Sequence, residues 1–153
     1  VHRRFERLGT WRGATVVDDY AHHPREVAAT LEAARQAFPG SSIQVIFQPH
    51  LFSRTRDLAD EFGRALLAAD RAFVTEIYPS RESPIPGVSG ELVVEAARRS
   101  GHHQVRFVPV WDELESVLAR GTGEGDVVLT LGAGDIYRFA RRLVGESGGE
   151  GAS

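Results

Sequence analysis

The sequence contains neither cysteine nor lysine. The first absence excludes disulfides, thiolate metal sites and a cysteine nucleophile, and it fits a reducing compartment, so the cytoplasm is expected. The second excludes a P-loop lysine and any Schiff-base lysine, because all 18 basic residues are arginine. Whatever phosphate chemistry the protein serves must borrow its lysine elsewhere. No apolar run approaches the roughly 20 residues that span a bilayer, and the first residues, VHRRFERLG, are charged where a signal peptide turns apolar. A soluble protein with no membrane partner is therefore expected. The formal net charge of -3 and pI near 6.1 give no electrostatic reason to expect nucleic acid either.

What is present is enough for one domain: 153 residues, 42% of them hydrophobic. Arg3 to Trp11 alternates loosely and reads as an edge strand or a lead-in arm. A repeating theme follows, in which a short apolar run, a polar or Pro/Gly-rich loop and a stretch with apolar residues three and four apart succeed one another. That is the βα rhythm of a parallel sheet. The strands are expected at Ala14 to Asp18, Ile43 to Phe47, Ala72 to Ile77, Val105 to Val108 and Val127 to Leu131. The helices between and after them would bury Val27, Leu31, Ala34 and Phe38; Leu58, Phe62, Ala65 and Leu66; Leu92, Val93, Ala96 and Ala97; Trp111, Leu114 and Leu118; and Ile136, Phe139, Ala140 and Leu143. Pro24 suits a first helical position, and Ser53, Ser89 and Asp135 are candidate caps. The expected domain is 1–144, with 145–153, rich in Gly, Ser and Glu, a disordered tail.

Four of the loops after strand ends hold the unusual residues: DDYAHHP, QPHLFSRT, EIYPSRESPIPGVS and GAGD. In a parallel sheet those ends share one rim, so the four clusters should converge on a composite site. In DDYAHHP, Asp18 and Asp19 could end the strand and His23 cap the helix, or the carboxylates and imidazoles could act as acid and base or hold a metal. The usual metal spacing of two His one turn apart is missing, and no metal site is assigned. In QPHLFSRT, a helix start beside His50 and Arg54 suits a carboxylate or phosphate ligand; the alternative is that Arg54 and Arg56 pair with Asp57, Asp60 or Glu61, the preferred reading for Arg56. The third loop is longer than a minimal connection and stiffened by Pro79, Pro84 and Pro86, as a partner surface would be. GAGD is half of a dinucleotide fingerprint, because Tyr137 stands where a third glycine would fall; it reads as a tight turn capped by Asp135 or as an anion site at a helix start.

Taken together, RRFERLG, DDYAHHPREV, FQPHLFSRTRDL, EIYPSRESPIPGVSG and LGAGDI resemble, in that order, the C-terminal domain of the Mur ligases, and within that family the branch that adds L-alanine to UDP-N-acetylmuramate. The resemblance runs from the first residues to about Ala140. It implies an α/β, Rossmann-like three-layer domain with a mostly parallel sheet and helices on both faces. It also implies a three-domain enzyme of peptidoglycan synthesis, whose partners are L-alanine, ATP and UDP-N-acetylmuramate and whose ATP and Mg2+ are held with the central ATPase domain; this domain alone is expected to bind no cofactor and to be inactive. By the same resemblance Arg4 would reach the ATP γ-phosphate, Asp19 and the neighbouring Tyr20 would contact the nucleotide, and His22, His50 and Arg54 would line the amino acid site, with Arg4, Asp19 and His22 the catalytic set. The pattern departs at Leu51, where many relatives carry an arginine. The alternatives are the related ligase that recycles murein peptides, a nicotinamide-dinucleotide module built on GAGD, and a metal-dependent hydrolase built on Asp18, Asp19, His22 and His23.

Overall fold

The computed structural model describes residues 4–145. Its strands are β1 (Glu6–Trp11), β2 (Ala14–Asp19), β3 (Ile43–Phe47), β4 (Arg71–Val74), β5 (Val105–Phe107) and β6 (Val127–Leu131), and its helices are α1 (Pro24–Ala37), α2 (Phe52–Ala65), α3 (Glu91–Arg99), α4 (Trp111–Ala119) and α5 (Ile136–Leu143). The six strands form one sheet in the order β1-β2-β6-β3-β4-β5. Only β1 runs antiparallel, and it is the edge strand expected at the start of the chain. Arg12 and Gly13, both with positive φ, make the two-residue turn from β1 into β2, the geometry whose twist matches a hairpin.

Side chains that alternate along each strand divide the core into two layers. Val17, Val45, Val74 and Leu129 face Val27 and Leu31 of α1, Phe62 of α2 and Val93 of α3. Val16, Ile46, Phe73 and Val128 face Leu114 and Leu118 of α4 and Phe139 of α5. The chain thus steps from β3 to β5 with its helices on one face and returns to the sheet centre with α4 on the other, as crossovers of one hand require. Phe62 lies against Phe47, with ring centroids 4.9 Å apart, and the next residue, Gly63, lets α2 lie directly on α3: a Cβ there would stand 2.6 Å from the Ala97 nitrogen. The two helices are locked together at a distance no side chain tolerates.

The strand periodicity reproduces Ile43–Phe47 and Val127–Leu131 as read from the sequence. Two runs are shorter: β4 stops at Val74 rather than Ile77, and β5 at Phe107 rather than Val108. Pairing with β5 ends at Val74, although the Thr75 amide still donates to the Phe47 carbonyl of β3. In α3 the buried stripe includes Val94, while Leu92, expected inside, is only half-buried. The tail expected to be disordered lies, apart from Gly145, outside the described residues. No helix among the described residues is long and apolar enough to cross a membrane.

Candidate functional site

The ends of the central strands lie level. Asp19 of β2 and Phe47 of β3 both pair with Leu131 of β6, and Phe47 pairs with Val74 of β4. The four chemistry-bearing loops leave the sheet from this line, so the convergence expected from the sequence is a consequence of register.

The first loop gives up its carboxylates to the fold. Asp18 is buried and accepts a 2.6 Å hydrogen bond from the Thr130 hydroxyl. Asp19 is buried as well: Oδ1 accepts from the Ala21 amide and Oδ2 from the Phe5 amide, each at 2.8 Å, with Arg4 Nη1 4.0 Å from Oδ1. Asp19 therefore ties the lead-in segment to the rim and holds the half-exposed Arg4 beside it. With both carboxylates engaged in this way, the hydrolase reading loses its acidic ligands. His23 stands at the position before Pro24, the first residue of α1, and Glu26 accepts the amides of His22 and His23 at 3.0 and 3.2 Å. Burial works against the charge on Glu26, but those amides and the nearby His22 and Arg4 prevail and hold its carboxyl below the usual range.

His22 is the middle of a row of rings. Its centroid lies 5.1 Å from Tyr20, which is exposed, and 6.0 Å from His50; His50 stacks in turn on Tyr78 at 5.6 Å. The row joins the first, second and third loops. His50 is fixed by a β-bridge to Tyr78, and the Leu51 amide donates to the Tyr78 carbonyl at 2.9 Å. Leu51 itself has φ +76 and contributes no polar group. Arg54 follows in the first turn of α2. Its Nη1 and the Nδ1 of His50 are buried without hydrogen-bond partners, and no ion pair joins Arg54 to a carboxylate among the described residues. Arg56, by contrast, pairs with Asp57 at 2.9 Å, and Asp60 is taken by Arg99. A half-buried guanidinium with no acidic partner among the described residues, next to an imidazole whose Nδ1 is likewise unsatisfied, has the chemistry that suits an anionic group.

The helix starts that the sequence allowed as anion sites are already occupied by the protein's own acceptors. At the start of α2 the expected cap, Ser53, is already inside the helix, and Glu82 of the third loop accepts the Phe52 and Ser53 amides at 2.5 and 3.1 Å together with the Ser53 hydroxyl. At the start of α5 the side-chain Oε1 of Gln48 accepts the Ile136 amide at 3.2 Å, while Asp135, rather than capping, accepts from Gln48 Nε2 at 2.7 Å. Gly134 of GAGD is packed under Tyr78 and Gln48, and a Cβ there would meet the Tyr78 ring at 2.4 Å. The dinucleotide reading therefore has no open helix start to use.

Burial, the Arg54 charge and His22 push the His50 imidazole below its ordinary range, with only Glu82 opposing them. His50 is thus neutral at neutral pH. The unfolded chain takes up a proton that the folded site resists, so this contribution to stability is complete above the ordinary imidazole value and is lost as the pH falls through the lowered one. Unfolding in urea between about pH 5 and 7 should show a loss of stability on acidification that is smaller in His50→Asn; an equal loss in both would remove this account of His50.

Tyr78, Glu82 and Gln48 are the residues that sequence reasoning missed. Tyr78 stacks on His50, Glu82 caps the helix that carries Arg54, and Gln48 caps the helix that follows GAGD; for Tyr78 and Glu82 the only signal was the unusual length of the third loop, and for Gln48 there was none. The family model described as the Mur ligase glutamate ligase domain matches residues 3–134. UDP-N-acetylmuramate--L-alanine ligases of Salinibacter ruber and Cutibacterium acnes are 48% and 52% identical to the chain over 144 residues, which is 94% of this chain and 30% of each relative. The chain thus spans less than a third of the length of these curated relatives. Among solved structures, the UDP-N-acetylmuramate-alanine ligase of Thermotoga maritima aligns with a TM-score of 0.76 at 34% identity, covering 100% of this chain and 31% of the other. A murein peptide ligase of Psychrobacter arcticus has the same TM-score of 0.76 at 20% identity, over 94% of this chain and 29% of the other, a likeness of fold.

Proposed function

This chain belongs to the Mur ligase family, and from that premise we propose that it is the amino-acid-receiving domain of a cytoplasmic ligase that joins L-alanine to UDP-N-acetylmuramate. The observation that carries the reading is Arg54, a half-buried arginine with no acidic partner among the described residues, beside His50 on the rim. A free amino acid brings the carboxylate that such a group lacks. A cluster facing a larger peptide would not need an anion receptor of this kind next to the reacting amine.

The reaction proceeds in two balanced steps. The sugar nucleotide's carboxylate oxygen attacks the γ-phosphorus of ATP and releases ADP, and the alanine amine then attacks the acyl carbon, expelling phosphate and leaving an amide. The carboxylate must be activated because it is a poor electrophile, and the acyl phosphate must be kept from water. This chain's part is to receive and orient. Arg54 and His50 hold the alanine carboxylate, His22 lies within the same row of rings, and Arg4 offers positive charge toward the transferring phosphoryl group. The nucleotide side is served by the exposed Tyr20 and, through the buried Asp19 that holds it at the rim, by Arg4. The phosphates themselves need more than these residues supply: the chain has no lysine, and among the described residues no group of three His, Asp or Glu side chains could hold a metal ion. ATP and Mg2+ are accordingly assigned mainly to the rest of the full-length protein, and this chain is expected to be inactive by itself.

ADP release by the full-length protein, measured with ATP, Mg2+, UDP-N-acetylmuramate and either L-alanine or a murein tripeptide, tests the proposal. Turnover with L-alanine, and none from the present chain alone, is expected. Turnover with the tripeptide only would assign the chain to the recycling branch.

A further inference from the structure

The turn that carries His50 and Arg54 is built in a way its own sequence does not support. Leu51 precedes α2 with φ +76 and ψ 135, a left-handed backbone that disfavours a branched side chain, and it offers no oxygen to cap the helix. The first amides of α2 are satisfied from elsewhere. Glu82, about 30 residues downstream, accepts the Phe52 amide at 2.5 Å, the Ser53 amide at 3.1 Å and the Ser53 hydroxyl. Glu82 is itself held by a turn in which its amide donates to the Pro79 carbonyl at 2.9 Å, and that loop is joined to the second by Leu51 to Tyr78 and Tyr78 to Pro49, both 2.9 Å. An internal carboxylate therefore occupies the place at the start of α2 where a substrate carboxylate would otherwise be drawn by free amides and the helix dipole. Among the described residues, the arginine in the first turn of α2 that is left without an acidic partner is Arg54.

We propose that Glu82 is a positioning residue of the amino acid site: by taking the amide donors at the start of α2, it fixes the turn bearing His50 and Arg54 and directs the incoming carboxylate to Arg54 rather than to the helix end. The proposal rests on the reading of the full-length protein as an amino acid ligase. It assigns a use to the third loop, which the reaction scheme leaves without one. The same three contacts hold the Glu82 carboxyl below its usual range, the Ser53 hydroxyl contributing most, so the cap stays charged through neutral pH.

The test compares wild-type full-length protein with Glu82→Ala and the milder Glu82→Gln, which keeps one acceptor oxygen. Loss of a helix cap of this kind is expected to raise the KM for L-alanine about tenfold in Glu82→Ala, with the KM values for ATP and UDP-N-acetylmuramate changed less than about twofold and Glu82→Gln falling between. Added formate, which can replace the missing carboxylate, should lower the alanine KM of Glu82→Ala and leave wild type unaffected. Amide exchange at Phe52 and Ser53 supplies a readout independent of turnover, with protection expected to fall in Glu82→Ala. Lost protection with an unchanged alanine KM would overturn the proposal, as would a uniform loss toward all three substrates that formate does not reverse. Wild-type turnover with a peptide instead of L-alanine would refute the assigned substrate alone; Glu82 would then stand or fall on whether the variant raises the KM for that peptide.

Discussion

Arg54→Ala in the full-length protein should raise the KM for L-alanine about a hundredfold while leaving the fold as stable as before or slightly more so. A charged hydrogen bond to a carboxylate in a desolvated site costs about 3 kcal/mol to remove, which is roughly two powers of ten in affinity. The unusual part is the stability. Removing a buried arginine normally destabilises because its partner is left behind, but Arg54 Nη1 has no partner, and its burial is a cost the fold bears on its own. Arg54→Lys keeps the charge without the fork and should recover part of the loss. Steady-state kinetics with each substrate varied in turn, beside urea unfolding, separates the two effects. An unchanged alanine KM would remove Arg54 from the site, and a large loss of stability would show that it serves the fold instead.

Asp19→Ala is expected to lower the unfolding free energy by about 2 to 4 kcal/mol, because two amides, those of Phe5 and Ala21, lose their acceptor together. Phe5 also carries φ +48, a backbone that a phenylalanine adopts only when its surroundings hold it there. Asp19→Asn keeps one acceptor oxygen and should lose about half as much. In the full-length protein either variant should also reduce turnover, since Arg4 reaches the rim through the segment that Asp19 ties down. Urea unfolding distinguishes this from a role confined to the nucleotide: were Asp19 solely a nucleotide contact, Asp19→Asn would raise the KM for ATP and leave stability untouched.

The layers of the fold were legible because burial imposes a period. Short apolar runs such as IQVIF and VVLTL fit only a strand covered on both faces, and Val27, Leu31 and Ala34 fit only one side of a helix. Convergence of the loops followed from the parallel sheet. The supports of the site were not legible, for a reason just as physical. Capping rules read from sequence look at neighbours, whereas α2 is capped by Glu82 and α5 by Gln48, an 88-residue separation from the amide it serves. Asp19 shows the same limit from the other direction. Its motif marks a functional loop, but which partners its oxygens take is decided by where residue 5 lies in space.

The position of β6 sets a condition on how the domain comes into being. This strand is the last in sequence, yet it lies at the centre between β2 and β3, which do not touch each other. Until it is inserted, the residues before it offer two separate pieces of sheet, β1–β2 and β3–β4–β5, with open edges between them. Folding is therefore a late, all-or-none event dominated by long-range pairing, slow compared with a chain of local contacts. A ribosome must release almost the whole domain before Asp19, Gln48 and Gly132 can meet across that gap, so a prematurely ended chain presents exposed strand edges rather than a partial site.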